Sequence, residues 1–400
     1  MRDVSGAWRR AASGAGLLSP SGDVAPTIFG EMSALAAATG AIDLGQGFPD
    51  EQGPAEVLEA AREAIAAGTN QYPPGRGTLA LREAIAGHQR RFYGLDVDPE
   101  TEVNVTAGAT EALAAALLAL IEGPDDEVVV FEPYYDAYAA LVALAGARLV
   151  TVPLRWPHFL PDRDRLEDAV TDRTRVIIVN DPHNPTGTVL PDEIREQIAR
   201  LAERHDAVIV TDEVYEHLVL EGRHRPMATF QAASDRTLTI SSAGKTFAVT
   251  GWKIGWVCGP PQLVTAVTTV KQYLTYSGGA PFQPAIARGL GLADAYFDGI
   301  ADDLRRKRDL LGAALVEAGL TTTTPAASYF TIADAAPLGV ADAEQFCRRL
   351  PDLAGVVAIP VTAFVRPEHR AEYASLVRFA ACKREDTLRE AARRLAALPR

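Results

Sequence analysis

The stretch Arg175-Val-Ile-Ile-Val-Asn180 places a run of apolar, β-branched residues directly before a polar one. The segments Val128-Val-Val130 and Val208-Ile-Val210 have the same continuous apolar character. Strands with one solvated face alternate between apolar and polar residues, whereas strands that are buried on both faces are apolar throughout. These runs therefore predict the centre of a sheet that other elements cover on both sides.

Similar short runs extend this pattern in both directions along the chain. The sequence predicts strands over residues 102–106, 127–131, 148–152, 175–180, 207–211, 237–241 and 254–258, with helical stretches between the first five. Such alternation is typical of an α/β fold with a parallel sheet. We expect about seven strands in a mostly parallel sheet, and then a smaller α+β domain with weak strands near 329–332, 356–359 and 376–380.

The expected boundaries divide the chain into an arm and two domains. Residues 1–24 are rich in small residues and arginine, which is typical of a mobile or docking arm. The large domain is expected over 55–285, and the small domain is expected to combine 25–54 with a helical stretch at 288–318 and the rest of 286–400.

Composition excludes several classes of protein. The chain has 39 Lys and Arg against 52 Asp and Glu, a net charge of −13, which disfavours nucleic acid or an anionic membrane as the main partner. Cys258, Cys347 and Cys382 are far apart and predict neither a disulfide framework nor a metal site. The apolar runs are too short to span a bilayer, and no signal-peptide pattern is present, so we expect a cytoplasmic protein.

Polar residues follow the predicted strand ends, where ligands of open α/β sheets bind. Thr106-Ala-Gly-Ala-Thr110 opens a helix, whose free N–H groups could bind an anion or form only a tight turn. Asn180-Asp-Pro-His-Asn184 could present the Asn184 amide rigidly or stabilise a turn. Asp212, in Thr211-Asp-Glu-Val-Tyr215, could face a cationic group or cap the next helix.

Ser242-Ala-Gly-Lys-Thr246 follows the sixth strand, and Lys253 comes shortly after it. Gly-Lys-Thr is not a P-loop here, because the glycine required six positions before the lysine is Thr239. One cofactor unites these motifs. A lysine can form a Schiff base with pyridoxal phosphate, a strand-end carboxylate can keep the pyridine nitrogen protonated, and a helix start can bind the phosphate.

Seven segments carry a family resemblance: Asp43-Leu-Gly-Gln-Gly-Phe-Pro-Asp50, Asn70-Gln-Tyr-Pro-Pro74, Asn184-Pro-Thr-Gly187, Thr211-Asp-Glu-Val-Tyr215, Ser242-Ala-Gly-Lys-Thr-Phe247, Thr250-Gly-Trp-Lys-Ile-Gly255 and Val377-Arg-Phe-Ala-Ala-Cys-Lys383. On these segments the sequence resembles the class I aminotransferases of pyridoxal-phosphate fold type I. It is most similar to the branch of kynurenine, methionine and N-succinyldiaminopimelate aminotransferases.

The resemblance implies a role for each matched residue. Lys245 would form the internal aldimine with pyridoxal 5'-phosphate and move the proton, and Asp212 would pair with the pyridinium nitrogen. The other implied contacts are Tyr215 and Asn184 at the ring 3-oxygen, Tyr135 stacked on the ring, Gly108, Ala109, Thr110, Ser242 and Lys253 at the phosphate, and Arg378 with Gly47 and Asn184 at the substrate carboxylate. Tyr72 would join the phosphate contacts from the second subunit of a homodimer, and Tyr276 would reach the neighbouring active site.

Two departures from the family pattern bear on the substrate. Asp181 stands where relatives usually have an uncharged residue, and a carboxylate facing the site would favour a cationic substrate, although an outward Asp in a turn is the alternative. Ala327 replaces the usual glycine before Ser328, and its Cβ could reshape the substrate side.

The leading hypothesis is transfer of an amino group between an α-amino acid and a 2-oxo acid. The alternative is a pyridoxal-phosphate enzyme of β/γ-elimination or replacement, with a cationic donor such as S-adenosylmethionine, which Asp181 alone suggests. A regulator that only senses a ligand is disfavoured, because every catalytic position is retained.

Overall fold

The computed structural model describes residues 6–19 and 21–398. Its strands are β1 Ile42–Asp43, β2 Val103–Thr106, β3 Glu127–Glu132, β4 Arg148–Pro153, β5 Thr174–Asn180, β6 Val208–Asp212, β7 Thr237–Ser242, β8 Gly255–Cys258, β9 Thr321–Thr322, β10 Phe330–Asp334, β11 Val356–Val357, β12 Ile359–Pro360 and β13 Leu376–Ala380.

The α-helices are α1 Ala7–Gly14, α2 Ile28–Thr39, α3 Ala55–Ala66, α4 Leu79–Tyr93, α5 Ala109–Leu120, α6 Ala137–Ala145, α7 Arg163–Ala169, α8 Asp192–Arg204, α9 Ala243–Thr246, α10 Pro261–Lys271, α11 Phe282–Leu290, α12 Asp294–Glu317, α13 Ala343–Ala354 and α14 Glu385–Leu395. Within the described ranges, no helix is long and apolar enough to cross a membrane.

The large sheet has seven strands in the order β2-β8-β7-β6-β5-β3-β4. Strand β8 runs antiparallel to β2 and β7, and the other neighbouring strands are parallel. The prediction of a mostly parallel, seven-stranded α/β sheet is therefore confirmed, with each predicted strand within one or two residues of its observed bounds.

The central strands are buried on both faces, as their continuous apolar runs predict. Ile177 packs into one apolar cluster and the adjacent Ile178 into another. Val129 and Val130 divide in the same way. Because successive side chains of a strand point to opposite faces, each central strand contributes to two cores.

A smaller α+β layer combines residues from the two ends of the chain. It contains the antiparallel sheet β12-β13-β10-β9 and the parallel pair β1-β11. One apolar core joins Met32 and Leu44 to Leu311, Leu350 and Phe379. The predicted helical stretch at 288–318 is two helices, α11 and α12, which are separated at residues 291–293, where Gly291 follows the last turn of α11.

The described part of the N-terminal arm docks onto the large layer. Helix α1 packs against α6 so closely that a Cβ added at Gly14 would lie 2.6 Å from the carbonyl oxygen of Ala139. Residues 1–5 and 20 of the predicted arm lie outside the described residues.

Candidate active site

A cavity of about 450 Å³ opens at the carboxyl edge of the large sheet. Strands β5, β6 and β7 are parallel there, so their ends bring Asn180, Asp212 and Ser242 to the same edge. Most predicted site residues line this cavity: Gly47, Gly108, Ala109, Thr110, Tyr135, Asn184, Asp212, Tyr215, Ser242, Lys245, Lys253 and Arg378.

Lys245 lies in the short helix α9, which begins directly after β7. Its Nζ donates hydrogen bonds to the Gly47 carbonyl and to the Tyr329 hydroxyl oxygen, both at 3.0 Å. Burial disfavours the ammonium form and lowers the pKa of Lys245 to about 8. About a tenth of the amine is therefore neutral, and hence nucleophilic, at pH 7.

Asp212 ends strand β6, and its side chain meets a tyrosine that the sequence analysis missed. The Tyr138 hydroxyl donates to Asp212 Oδ2 at 2.7 Å, and the Asn180 side-chain amide donates to the Asp212 carbonyl oxygen at 2.8 Å. Burial raises the pKa of Asp212, and the Tyr138 hydrogen bond opposes that shift by stabilising the carboxylate. The site thus holds a buried carboxylate suited to a cationic ring nitrogen.

The turn between β2 and α5 forms the predicted anion seat. Gly108 precedes α5 with φ +79°, and a Cβ at this position would lie 3.2 Å from Lys253 Nζ. Since α5 starts at Ala109, its first backbone N–H groups are free of partners within the helix. The positive φ favours glycine here, and a Cβ would also crowd the end of the Lys253 side chain.

Arg378, on β13, is a buried cation facing the same cavity. It donates to Asn184 Oδ1 at 2.9 Å and to the Gly45 carbonyl at 2.7 Å, and its guanidinium carbon lies 4.1 Å from the centre of the Phe330 ring. Burial lowers the pKa of Arg378 to about 10. Among residues 6–19 and 21–398, no carboxylate forms an ion pair with it, and its buried Nε has no hydrogen-bond partner.

Two aromatic residues from the predicted set flank the cavity. Tyr135 meets Tyr138 edge-on with ring centroids 5.7 Å apart, and burial raises the pKa of Tyr135 to about 12. Tyr215 meets Tyr329 edge-on at 5.6 Å, and burial raises the pKa of Tyr215 as well. Both hydroxyls therefore remain protonated near neutral pH.

The structure does not bring Asp181 to the cavity. Its carboxylate lies 2.6 Å from the Arg195 guanidinium of α8 and accepts from the Leu190 backbone N–H at 3.1 Å. The inward orientation is therefore wrong. Asp181 turns away from the cavity, as in the alternative of an outward Asp in a turn, and its side chain is buried against Arg195. Ala327 is fully buried and does not line the cavity, so its predicted effect on the substrate side stays a prediction.

Tyr72 and Tyr276 lie outside this cavity as well. They are 82% and 40% exposed, and their rings contact each other edge-on at 5.8 Å. The buried Lys271 Nζ ties their segments together by donating to the Gly75 and Tyr276 carbonyl oxygens, at 2.5 and 2.8 Å. Their predicted role at a neighbouring site stays a prediction.

A separate group of metal-ligand types, His88, His217 and Glu216, lies outside the cavity. The two imidazole Nε2 atoms are 2.6 Å apart and share a hydrogen bond, and Glu216 accepts from the Tyr93 and Ser241 hydroxyls at 2.6 and 2.5 Å. Burial lowers the pKa of both histidines. Because these polar groups already bond within the protein, we interpret the group as a packed polar network.

The comparisons with known proteins agree with this site. The family model of class I and II aminotransferases matches residues 39–395. The chain is 53% identical to the probable N-succinyldiaminopimelate aminotransferase DapC of Mycobacterium tuberculosis, over 94% of this chain and 96% of that protein. It is 38% identical to the methionine aminotransferase of Escherichia coli, over 92% and 95% of the two chains.

The solved structure of N-succinyldiaminopimelate aminotransferase from M. tuberculosis superposes with a TM-score of 0.92 at 50% identity, and the match covers 99% of this chain and 100% of that one. The chain belongs to the class I and II aminotransferases. It is therefore an enzyme that transfers an amino group between amino and oxo acids, as the leading hypothesis predicts. The alternative of an elimination or replacement enzyme has no support from these relatives. Asp181, the one residue that suggested a cationic donor for it, faces Arg195 instead.

Proposed function

We propose that this aminotransferase works with pyridoxal 5'-phosphate held covalently by Lys245. The observation that carries the proposal is that one cavity holds the buried amine of Lys245 and the buried guanidinium of Arg378, and that Arg378 has no carboxylate partner among the described residues. The bound cofactor supplies an electron sink that makes the Cα–H bond of an amino acid acidic. The protein supplies the binding groups, their orientation and a movable base.

The residues present fit this cofactor. An anion seat at Gly108–Thr110, next to Ser242 and Lys253, suits a phosphate, because it combines helix N–H groups, a hydroxyl and a cation. The buried Asp212 suits a protonated pyridine nitrogen, and Tyr135 offers an aromatic face. Tyr215 and the Asn184 amide would bind the ring 3-oxygen.

Arg378 would bind the substrate α-carboxylate. A guanidinium has five N–H donors, and within residues 6–19 and 21–398 two of them are used, toward Asn184 and Gly45. A buried cation without a counter-ion is costly, and a carboxylate that binds it removes this cost. The aromatic rings of Phe330 and Phe364, at 4.1 and 4.6 Å, fix the guanidinium plane.

Lys245 would move the proton. Its Nζ, when not bonded to the cofactor, would take up the proton from the substrate Cα and hold it for return. Since its pKa is lowered to about 8 by burial, Nζ can both accept and release a proton near neutral pH.

The working unit in this proposal is a homodimer in which the exposed pair Tyr72 and Tyr276 contacts the partner's site. Residues 25–54 and 286–400 would act as a small domain that closes when Arg378 binds substrate. The identity of 53% to the protein named for N-succinyldiaminopimelate makes that compound the proposed amino donor.

A half-reaction experiment tests the proposal. Purified, cofactor-loaded enzyme is mixed separately with N-succinyldiaminopimelate, methionine, kynurenine and aspartate, and is followed by absorbance and mass spectrometry. We expect pyridoxamine phosphate and the matching oxo acid to form fastest from N-succinyldiaminopimelate. Formation of pyridoxamine phosphate from another donor alone would contradict the substrate, and loss of a side-chain fragment without pyridoxamine phosphate would contradict the reaction.

A further inference from the structure

The Tyr329 hydroxyl touches the reactive amine of this site but belongs to no predicted set. Tyr329 is 3% exposed and lies just before β10. Its oxygen accepts from Lys245 Nζ at 3.0 Å, while its own proton is donated to the Gly47 carbonyl at 2.5 Å. Gly47 O also accepts from Nζ at 3.0 Å, so the three groups form a closed triangle of hydrogen bonds.

From this triangle we infer that Tyr329 is a positioning residue, which holds the free Lys245 amine so that its lone pair faces the cavity. The inference deepens the proposed function and rests on it, since it takes Lys245 as the group that holds the cofactor and moves the proton.

Counting donors and acceptors gives the physical reason. A neutral amine has two N–H groups and one lone pair. In the triangle both N–H groups can be used, one toward the Tyr329 oxygen and one toward Gly47 O. The lone pair is then the only unused position on Nζ, and it is directed away from both acceptors. A base held in this way meets the substrate proton without first having to rotate.

The direction of the Tyr329 hydroxyl proton supports this assignment. If Tyr329 donated to Nζ, it would occupy the lone pair that the reaction needs. Its proton instead lies on the Gly47 side, and burial raises the pKa of Tyr329 well above its ordinary value. The hydroxyl therefore stays protonated over the working pH range and offers Lys245 only an acceptor.

Tight packing fixes the ring of Tyr329. A Cβ added at Gly47 would lie 2.6 Å from Phe330 Cζ and 3.1 Å from Tyr329 Cε2, so residue 47 must be glycine for this arrangement. The rings of Tyr215 and Phe330 meet that of Tyr329 at centroid distances of 5.6 and 4.8 Å. The hydroxyl is thus held in place by neighbours on both sides.

In the half-reaction the proton leaves the substrate Cα for Nζ, and the bonding electron pair remains on the substrate side. Nζ becomes an ammonium with three N–H groups, two of which keep the contacts to Tyr329 and Gly47. The third carries the transferred proton and is the one returned, so the lysine ends neutral. Removing the Tyr329 hydroxyl should therefore affect proton transfer more than substrate binding.

The test compares Tyr329→Phe with Tyr373→Phe. Tyr373 is a matched control, because its buried hydroxyl also donates to a carbonyl, that of Leu154 at 2.9 Å, outside the cavity lining. In the apoenzyme, the pH profile of Lys245 acetylation is measured by mass spectrometry. We expect Tyr329→Phe to lower the pKa of Lys245, because the ammonium loses an acceptor, and Tyr373→Phe to leave the profile unchanged.

In the loaded enzyme, we expect Tyr329→Phe to reduce kcat of the half-reaction by about tenfold to a hundredfold, part of the contribution of a positioned base. KM should be unchanged, and the α-deuterium isotope effect should increase. If the Tyr329→Phe variant has the same acetylation pH profile and the same kcat as the wild type, the inference is overturned.

Borohydride reduction separates this inference from the proposed function on which it rests. Trapping of the cofactor on Lys245 in both wild type and Tyr329→Phe, with identical acetylation profiles and kcat, would refute only the role of Tyr329. Trapping on another residue would refute the assignment of Lys245 itself.

Discussion

Replacement of Arg378 by lysine most directly tests the proposal that this cavity binds the substrate carboxylate. Arg378 is buried, keeps its orientation through Asn184, Gly45 and Phe330, and has donors left for a substrate carboxylate. A lysine keeps the positive charge but cannot form the two parallel hydrogen bonds of a guanidinium with a carboxylate. The variant therefore isolates the geometry of carboxylate binding from the charge.

The magnitude follows from the lost hydrogen bonds. A hydrogen bond to a charged group contributes about 1.5–3 kcal/mol, and lysine can replace only one of the two. A loss of about 3 kcal/mol corresponds to about a hundredfold in kcat/KM, since each 1.4 kcal/mol is about tenfold. The loss should be confined to substrates that have the carboxylate.

The assay measures kcat/KM of the half-reaction for an amino acid and for the amine that lacks its carboxylate. We expect Arg378→Lys to slow the amino acid about a hundredfold, from the hydrogen-bond energies above, and to leave the slow rate of the amine unchanged. Arg200→Lys is the matched control, because Arg200 is an exposed arginine that pairs with Glu196 at 3.6 Å. Equal losses for the amino acid and the amine would refute carboxylate binding by Arg378.

Four further predictions address Lys245, Tyr138 and Asp181. Lys245→Ala should abolish the visible absorbance of the bound cofactor and its borohydride adduct, whereas a surviving adduct would exclude the assignment. In apoenzyme, the rate of cofactor capture should rise with pH through about 8, because deprotonation of Lys245 produces the nucleophile; a flat pH profile would contradict this. Tyr138→Phe should raise the pKa of Asp212, because the carboxylate loses a hydrogen bond, and this should shift the pH dependence of the cofactor spectrum. The variant should also lower kcat about tenfold. An unchanged spectrum at all pH values would argue against this role of Tyr138. Asp181→Asn should lower the free energy of unfolding by about 1–3 kcal/mol in denaturant titration, because Arg195 loses one buried charged partner and keeps Asp192. The preference between cationic and neutral donors should not change. A selective loss of cationic donors would restore the interpretation that Asp181 faces the substrate.

The sequence alone determined the strands and which polar residues stand at their ends. The run of residues 175–180 could be interpreted without tertiary information, because burial on both faces demands apolar residues at consecutive positions. The positions of Asp212 and Lys245 then followed from the strand ends, since parallel strands present their carboxyl ends at one edge. Local pattern and topology together were sufficient for this part of the site.

Only the tertiary structure decided which side chains meet. Tyr138 contacts Asp212 across 74 positions of sequence, and Tyr329 contacts Lys245 across 84. Such contacts leave no periodic trace in the sequence, because each depends on how separate elements pack.

Asp181 also shows that the sequence does not reveal the contacts of a side chain. Its place in a loop beside the site motifs suggested a substrate contact, yet its partner is Arg195 of α8. The direction of one side chain depends on which charge the surrounding fold brings within reach. The sequence by itself therefore determined the sheet and the groups at its edge, and the packing of distant segments decided the partner of each group.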